Sequence, residues 1–477
     1  MKKPDYEWWV QHAHSDSAFL LLTEYPDAFD QAIQARLAQV GRPLDQGLVN
    51  QAKWRAVWEQ DRYGSMSSIL ASITPVVDIP TRSLNGPISI SKRTLRDDSG
   101  VFLGLGVSAF WAPWAIDNSP GRLEKLGKWA EDAGINYVRI FGAHDWPGGS
   151  GFDTRKIAKV VDVFAGYGLR TQVTMGTRRH QFTDPEQAII DLADVVNARR
   201  DKVCLVEIAN EFNHDENGWS EDEVRHLAGR FIERCDAPLA LSAPAAPTWG
   251  DNAHQLTELY TDAGATATTI HFPRRDNTHE GAWRAVRQPW HMRHGIPGCP
   301  DFVVDNEHQR WDKSQGQKVE VAVAHSLVAY IAGCGMSCHH DLCGVFPSRP
   351  GYSQQPQAGL LKSAFRSLMN ALPGDLPDWQ SVRVGEGGGP HPFPSLLPQH
   401  WSFHDTLNYG VSRAFAAVNG EKFVMALTGV KDFVHLHEEQ PHAYHVVSLR
   451  DGETLYEGTG PVSIDAAKGE AFLVGTI

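Results

Sequence analysis

Two short segments place carboxylates where they could react. VEIANEFNHDENGW sets Asn210 and Glu211 just past a β-branched apolar run, and FVVDNEHQRW sets Glu307 past another. Two carboxyls facing each other across a cleft can hydrolyse a glycosidic bond: one protonates the leaving oxygen while the other attacks the anomeric carbon or activates a water. A separation of about 5 to 5.5 Å gives retention, whereas roughly 6.5 to 9.5 Å leaves room for a water and gives inversion. The expectation here is the shorter distance. The two groups must also differ in protonation at one pH, so one of them needs a cation beside it. Trp111, His144, His271 and His340 fall at the ends of similar runs, where they can line the same cleft and bind substrate.

Such residues need a scaffold that gathers strand ends. Between residues 102 and 341 one pattern recurs eight times: an apolar run, a polar or Gly-rich stretch, then a segment of helical period. The runs are FLGLGVS, YVRIF, LRTQVTM, VCLVEIA, LALSA, TATTIH, FVVDN and MSCHHD, starting about one βα unit apart. Eight units in this length predict a (β/α)₈ barrel, whose active site lies at the C-terminal strand ends. Glu211 then ends strand 4 and Glu307 ends strand 7, three steps apart around the ring. Glu207 and Asp305 precede the reactive candidates, and strand alternation turns both toward the barrel interior, where pairing with Arg139 or a histidine would make them structural. His144 and Asp145 fall in the loop after strand 2. Ser220 with Glu223 predicts a capping box.

The flanks differ. Residues 1–90 read as a helical N-terminal segment, with FDQAIQARLAQVG and LVNQAKWRAVWEQDR carrying apolar residues at helical spacing. Residues 91–375 form the catalytic barrel. Residues 376–477 pass through the Gly/Pro-rich GEGGGPHPFPSLLP into short alternating strands, which predict an antiparallel β-sandwich domain.

The Asn-Glu pair ending strand 4 and the Glu ending strand 7 resemble glycoside hydrolase clan A, most closely its family 5-like members, over about residues 100 to 375. That resemblance implies that Glu211 is the acid/base, that Glu307 is the nucleophile, and that Asn210 bonds the sugar 2-hydroxyl. It also implies that Arg139 lies near the nucleophile and that His271 is a site histidine. The activity implied is retaining hydrolysis of a poly- or oligosaccharide with no cofactor. Two departures are visible. Phe272-Pro273 follows His271 where many family members have a tyrosine that orients the nucleophile, and strand 8 ends in CHHDLCG without the usual stacking tryptophan.

Two other readings compete. His271, His339, His340 and Asp341 at strand ends could hold a metal, as in metal-dependent amidohydrolase barrels. Strand 1 opposes this, because Ser108 and Trp111 stand where that architecture wants His-x-His. A non-catalytic glycan-binding virion component is the other, with the N-terminal segment serving phage tail or oligomer contacts.

Composition narrows the classes. A net charge of −13 and the absence of a Lys/Arg run exclude a phosphate-backbone footprint, so no nucleic acid partner is expected. No eighteen-residue apolar stretch and no apolar region behind the N-terminal lysines are seen, so membrane insertion and a signal peptide are not expected; the location follows as cytoplasmic synthesis, or virion-associated on the alternative reading. Six cysteines without paired CxxC spacing are expected to be free thiols.

Overall fold

The computed structural model describes residues 17–39, 49–50, 52–53, 56, 65–66, 69–70, 84–145, 149–273, 279–307, 318–340, 358–383, 413–430, 433–436, 440 and 442–476. Most of LVNQAKWRAVWEQDR, all of GEGGGPHPFPSLLP, Asp341 and Cys343 lie outside the described residues. The chain divides into two compact units, residues 1–80 with 115–122, and residues 81–114 with 123–477.

In the first unit, helices α1 (Ala18–Glu24) and α2 (Pro26–Gln39) bury one face. Phe29, Ile33 and Leu37 recur every four residues and pack with Leu21, Val49, Ala52 and Met66 in a core of their own.

The second unit holds the barrel. Its strands are β1 (Gly104–Ser108), β2 (Tyr137–Phe141), β3 (Arg170–Gly176), β4 (Val203–Asn210), β5 (Leu239–Ala243), β6 (Thr268–Ile270), β7 (Val303–Asp305) and β8 (Cys334–His339). All neighbours pair in parallel, in the order β5-β4-β3-β2-β1-β8-β7-β6. The ring closes where Thr266 N and Ala267 N donate to Leu239 O at 2.9 and 3.0 Å. Helices α3 (Ala112–Asn118), α4 (Pro120–Asp132), α5 (Thr154–Ala165), α6 (Pro185–Asn197), α7 (Glu221–Ile232), α8 (Trp249–Tyr260), α9 (His279–Val286), α10 (Val319–Ile331) and α11 (Ala358–Ala371) fall between or after the strands. The last strand starts two residues before the predicted run and stops at His339, so His340 is the first residue beyond it. Ser220 Oγ accepts from Glu223 N as predicted, but the Glu223 carboxylate is taken by Arg179, so only half of the box forms.

The barrel floor is apolar. Tyr137, Leu205, Ala240, Val304, Met336 and Cys338 fill it, and a three-stranded antiparallel sheet (Ser89–Ser91, Thr94–Asp97, Gly100–Phe102) closes it with Ile88 and Leu95. Gly106 is required there: a Cβ on it would come within 2.3 Å of the Tyr137 ring. A closed floor leaves the opposite end, where the strands terminate, as the accessible face.

Beyond α11 come β9 (Gln380–Arg383), β10 (Arg413–Asn419), β11 (Lys422–Thr428), β12 (Phe433–Leu436), β13 (Tyr444–Ser448), β14 (Thr454–Gly458), β15 (Val462–Asp465) and β16 (Ala471–Thr476). They form a six-stranded sheet, β9-β10-β11-β16-β13-β14, and a two-stranded ribbon, β12-β15, sharing a core that includes Phe423, Met425, Leu436, Ile464 and Phe472. This antiparallel sandwich packs on the barrel through α10, every residue of which is buried. Arg287 Nε donates to Thr428 Oγ1 at 3.2 Å, Trp283 Nε1 donates to Glu470 Oε2 at 3.2 Å, and Lys318 pairs with Glu470. Five cysteines, Cys204, Cys235, Cys299, Cys334 and Cys338, are free thiols. No helix among the described residues is long and apolar enough to cross a membrane.

Candidate active site

Strand β4 delivers Asn210 at its last position, and the chain then turns sharply at Glu211, whose φ is 47°. A left-handed conformation costs a residue with a Cβ roughly 1 to 2 kcal/mol, and it persists only where surrounding bonds over-determine it. They do so here. Asn217 Nδ2 donates to Asn210 O at 3.0 Å and to Glu211 O at 2.9 Å, and Phe212 N donates to Ser242 Oγ of β5 at 3.1 Å. The turn swings the Glu211 side chain to the mouth.

Across the ring, Glu307 follows β7 by two residues. Arg139 Nη1 donates to its Oε1 at 3.0 Å, and His340 Nε2 stands 3.1 Å from its Oε2. Arg139 is wholly buried. Its Nη2 donates to Glu207 Oε2 and Asn210 Oδ1, both at 2.8 Å, and its Nε donates to Thr174 Oγ1 at 3.2 Å. Burial alone would lower its pKa, but the Glu207 and Glu307 charges outweigh that and raise it above the ordinary value, so the guanidinium is a permanent cation.

His271 joins the two glutamates. Its Nδ1 lies 2.9 Å from Glu211 Oε1 in a hydrogen bond, and its Nε2 lies 3.9 Å from Glu307 Oε1. The environments of the carboxyls nonetheless differ. Glu307 has the guanidinium and an 8% exposed side chain, whereas the Glu211 side chain is 26% exposed and has a histidine, not an arginine, on it. An ionised, dry nucleophile and a solvent-reachable proton donor are the two roles such a pair can fill.

The other predicted residues divide. His340 reaches Glu307, while Trp111 is buried just beyond β1. His144 turns to the main chain: its Nε2–H donates to Phe110 O at 2.9 Å. Phe110 and Phe141 stack at 3.9 Å beside the Arg139 guanidinium, and Phe110 meets the His340 ring edge-on at 5.7 Å. His339 meets Phe365 of α11 edge-on, so it faces the helix layer while His340 faces the mouth, and the strand-end metal constellation is not assembled among the described residues. Asp305 is corrected likewise. Val304 points into the barrel floor, so Asp305 faces outward, where Ser337 Oγ donates to Oδ2 at 3.1 Å and His325 Nε2 of α10 stands 3.1 Å away. Asp145 is exposed and pairs with Arg178 at 3.0 Å.

Burial pushes the His144 pKa from 6.5 down to about 4, overriding its bond to Phe110. The unfolded chain therefore binds a proton that the folded one refuses. Folding loses stability as pH falls from about 6.5 and stops losing it below about 4, a total on the order of 3 kcal/mol. His144→Gln is expected to remove that part of the acid sensitivity, measured by urea unfolding at pH 7 and pH 5. Equal pH dependence in both proteins would refute it.

Several site residues were not read from the sequence. Asn217, Ser242, Thr174, Gln172 and Asn306 all hold reactive groups or their supports. The sequence left a partial signal for three of them: Gln172 and Thr174 are polar residues two apart in LRTQVTM, hence on one strand face, and Ser242 is the polar residue in the apolar run LALSA.

No protein-family model matches the sequence, and no curated protein sequence matches it. Among solved structures the chain is similar to a glycoside hydrolase family 5 protein from Bacteroides vulgatus, at 13% identity and a TM-score of 0.55, over 83% of this chain and 95% of that one. It is also similar to a structure described as a glycoside hydrolase, at 12% identity and a TM-score of 0.55, over 82% and 97% of the two chains. At these identities the likeness is one of fold.

Proposed function

We propose that this chain is a retaining glycoside hydrolase acting on a poly- or oligosaccharide by double displacement. The observation that carries the reading is the asymmetric pair: Glu211 and Glu307 meet opposite nitrogens of His271, and of the two it is Glu307 that Arg139 holds. Both fold relatives are glycoside hydrolases by description, which supports the same chemistry. Glu307, ionised beside Arg139, attacks the anomeric carbon while Glu211 gives its proton to the leaving oxygen. A glycosyl ester on Glu307 results. Glu211, now a carboxylate, takes a proton from water as that water displaces Glu307, so two inversions leave the configuration retained. Asn210, with Oδ1 fixed by Arg139, turns its amide N–H groups toward the sugar 2-hydroxyl.

The test is a screen of aryl glycosides and glycans, with NMR identification of the first-formed anomer. Retained configuration is expected. An inverted first product, or no hydrolysis of any glycoside, would overturn the reading. Within the same screen, Glu211→Ala is expected to keep forming the glycosyl-enzyme from substrates with an activated aryl leaving group and to lose about two to four orders of magnitude on natural glycans. Azide should then speed its turnover and yield a glycosyl azide of retained configuration. Equal losses on both substrate types would remove Glu211 as proton donor.

A further inference from the structure

Glu207 lies beneath Glu211 and Glu307, with a wholly buried side chain that bonds neither. Its Oε2 accepts from Arg139 Nη2 at 2.8 Å and from Thr174 Oγ1 at 2.6 Å, and its Oε1 accepts from Asn306 Nδ2 at 2.8 Å. Asn306, the neighbour of Glu307 in sequence, accepts in turn from Gln172 Nε2 at 2.7 Å. One carboxylate thus ties together side chains from β2, β3 and β4 and from the residue just past β7. Stability does not demand this arrangement, because a buried ion pair gains little or nothing over well-packed apolar side chains of the same volume.

We propose that Glu207 is a positioning residue that, through Arg139, sets the ionisation of Glu307 and the aim of Asn210; the inference rests on the glycosidase reading above. Arg139 carries one positive charge and serves two carboxylates. A guanidinium paired with Glu307 alone would bind it so strongly that its basicity, and with it its nucleophilicity, would fall. Glu207 takes part of that charge, so Glu307 is ionised yet still reactive. The same Nη2 that Glu207 holds also holds Asn210 Oδ1, which fixes the amide plane facing the sugar. The groups facing Glu207 among the described residues are Arg139 of β2, Thr174 of β3 and Asn306 past β7, with the Tyr260 phenol of α8 close enough to feel its charge.

The test substitutes Glu207→Gln, which keeps the shape and removes the charge. Asn306 and Gln172 can turn their amides over to accept the new N–H, so the chain of hydrogen bonds survives in reverse. Glu307 is followed by carbon-13 carboxyl NMR of glutamate-labelled protein, its signal assigned by its loss in Glu307→Gln. In Glu207→Gln, Glu307 is expected to titrate at a pH lower by roughly one unit, and the acid limb of kcat/KM on an aryl glycoside is expected to move with it. Thr174→Val, which leaves Glu207 ionised but removes a donor that shares its charge, should move both upward. Glu307 titrating at the wild-type pH in both variants would overturn the proposal. The NMR titration needs no substrate: if it moves while the wild type hydrolyses no glycoside, the ionisation link stands and the glycosidase reading falls.

Discussion

Glu307→Ala should abolish turnover of every substrate, aryl glycosides included, by about four orders of magnitude or more, because no leaving group however good replaces the attacking atom. The side chain removed is held on both oxygens, by Arg139 on one and His340 on the other, so the deletion leaves a small polar hole that, on the proposed mechanism, faces the anomeric carbon. Azide or formate can enter it. Added azide is therefore expected to restore turnover of an activated aryl glycoside and to yield a glycosyl azide of inverted configuration, a single displacement in place of two. Near-wild-type activity of Glu307→Ala on a natural glycan would end the two-glutamate mechanism. A folded but azide-insensitive variant would move the nucleophile elsewhere.

Arg139→Met should be costly in both stability and rate. Methionine fills the space of the apolar stem but removes the guanidinium that lies beside the stacked Phe110 and Phe141 rings and leaves Glu207 buried with no cation. Breaking one partner out of a buried pair costs about 3 to 5 kcal/mol, which is a large share of the roughly 5 to 15 kcal/mol that holds a domain folded. The loss is expected in urea unfolding curves of variant and wild type compared at pH 8. Glu307, deprived of the same cation, should titrate higher, carrying the acid limb of kcat/KM upward. A variant as stable as wild type at pH 8 would show that the Glu207 charge is balanced by something else.

The eight βα units were legible because each carries its own periodicity. Alternation or an unbroken apolar run marks a strand, helical spacing marks the following helix, and neither needs a distant partner to be recognised. Strand edges were less so: β8 begins at Cys334, two residues before the predicted run, since pairing with β1 and β7 extends a strand into residues with no signal of their own. The capping box shows the same limit. Ser220 caps as local chemistry dictates, yet Glu223 is drawn away by Arg179, a residue more than forty positions earlier that no local pattern reports.

The sequence by itself marked the strand ends, and with them Asn210, Glu211, His271 and Glu307 as residues of one barrel mouth, with Arg139 on a strand below it. Only the tertiary structure decided how those groups are wired. That His340 stands against Glu307 while His339 faces the helices, that Asp305 turns outward, and that Glu207 braces Arg139 from below are outcomes of strand register and of side chains meeting across the barrel. A one-residue change of register would exchange every inward and outward side chain, and register in a parallel barrel is set by the closure of all eight strands together.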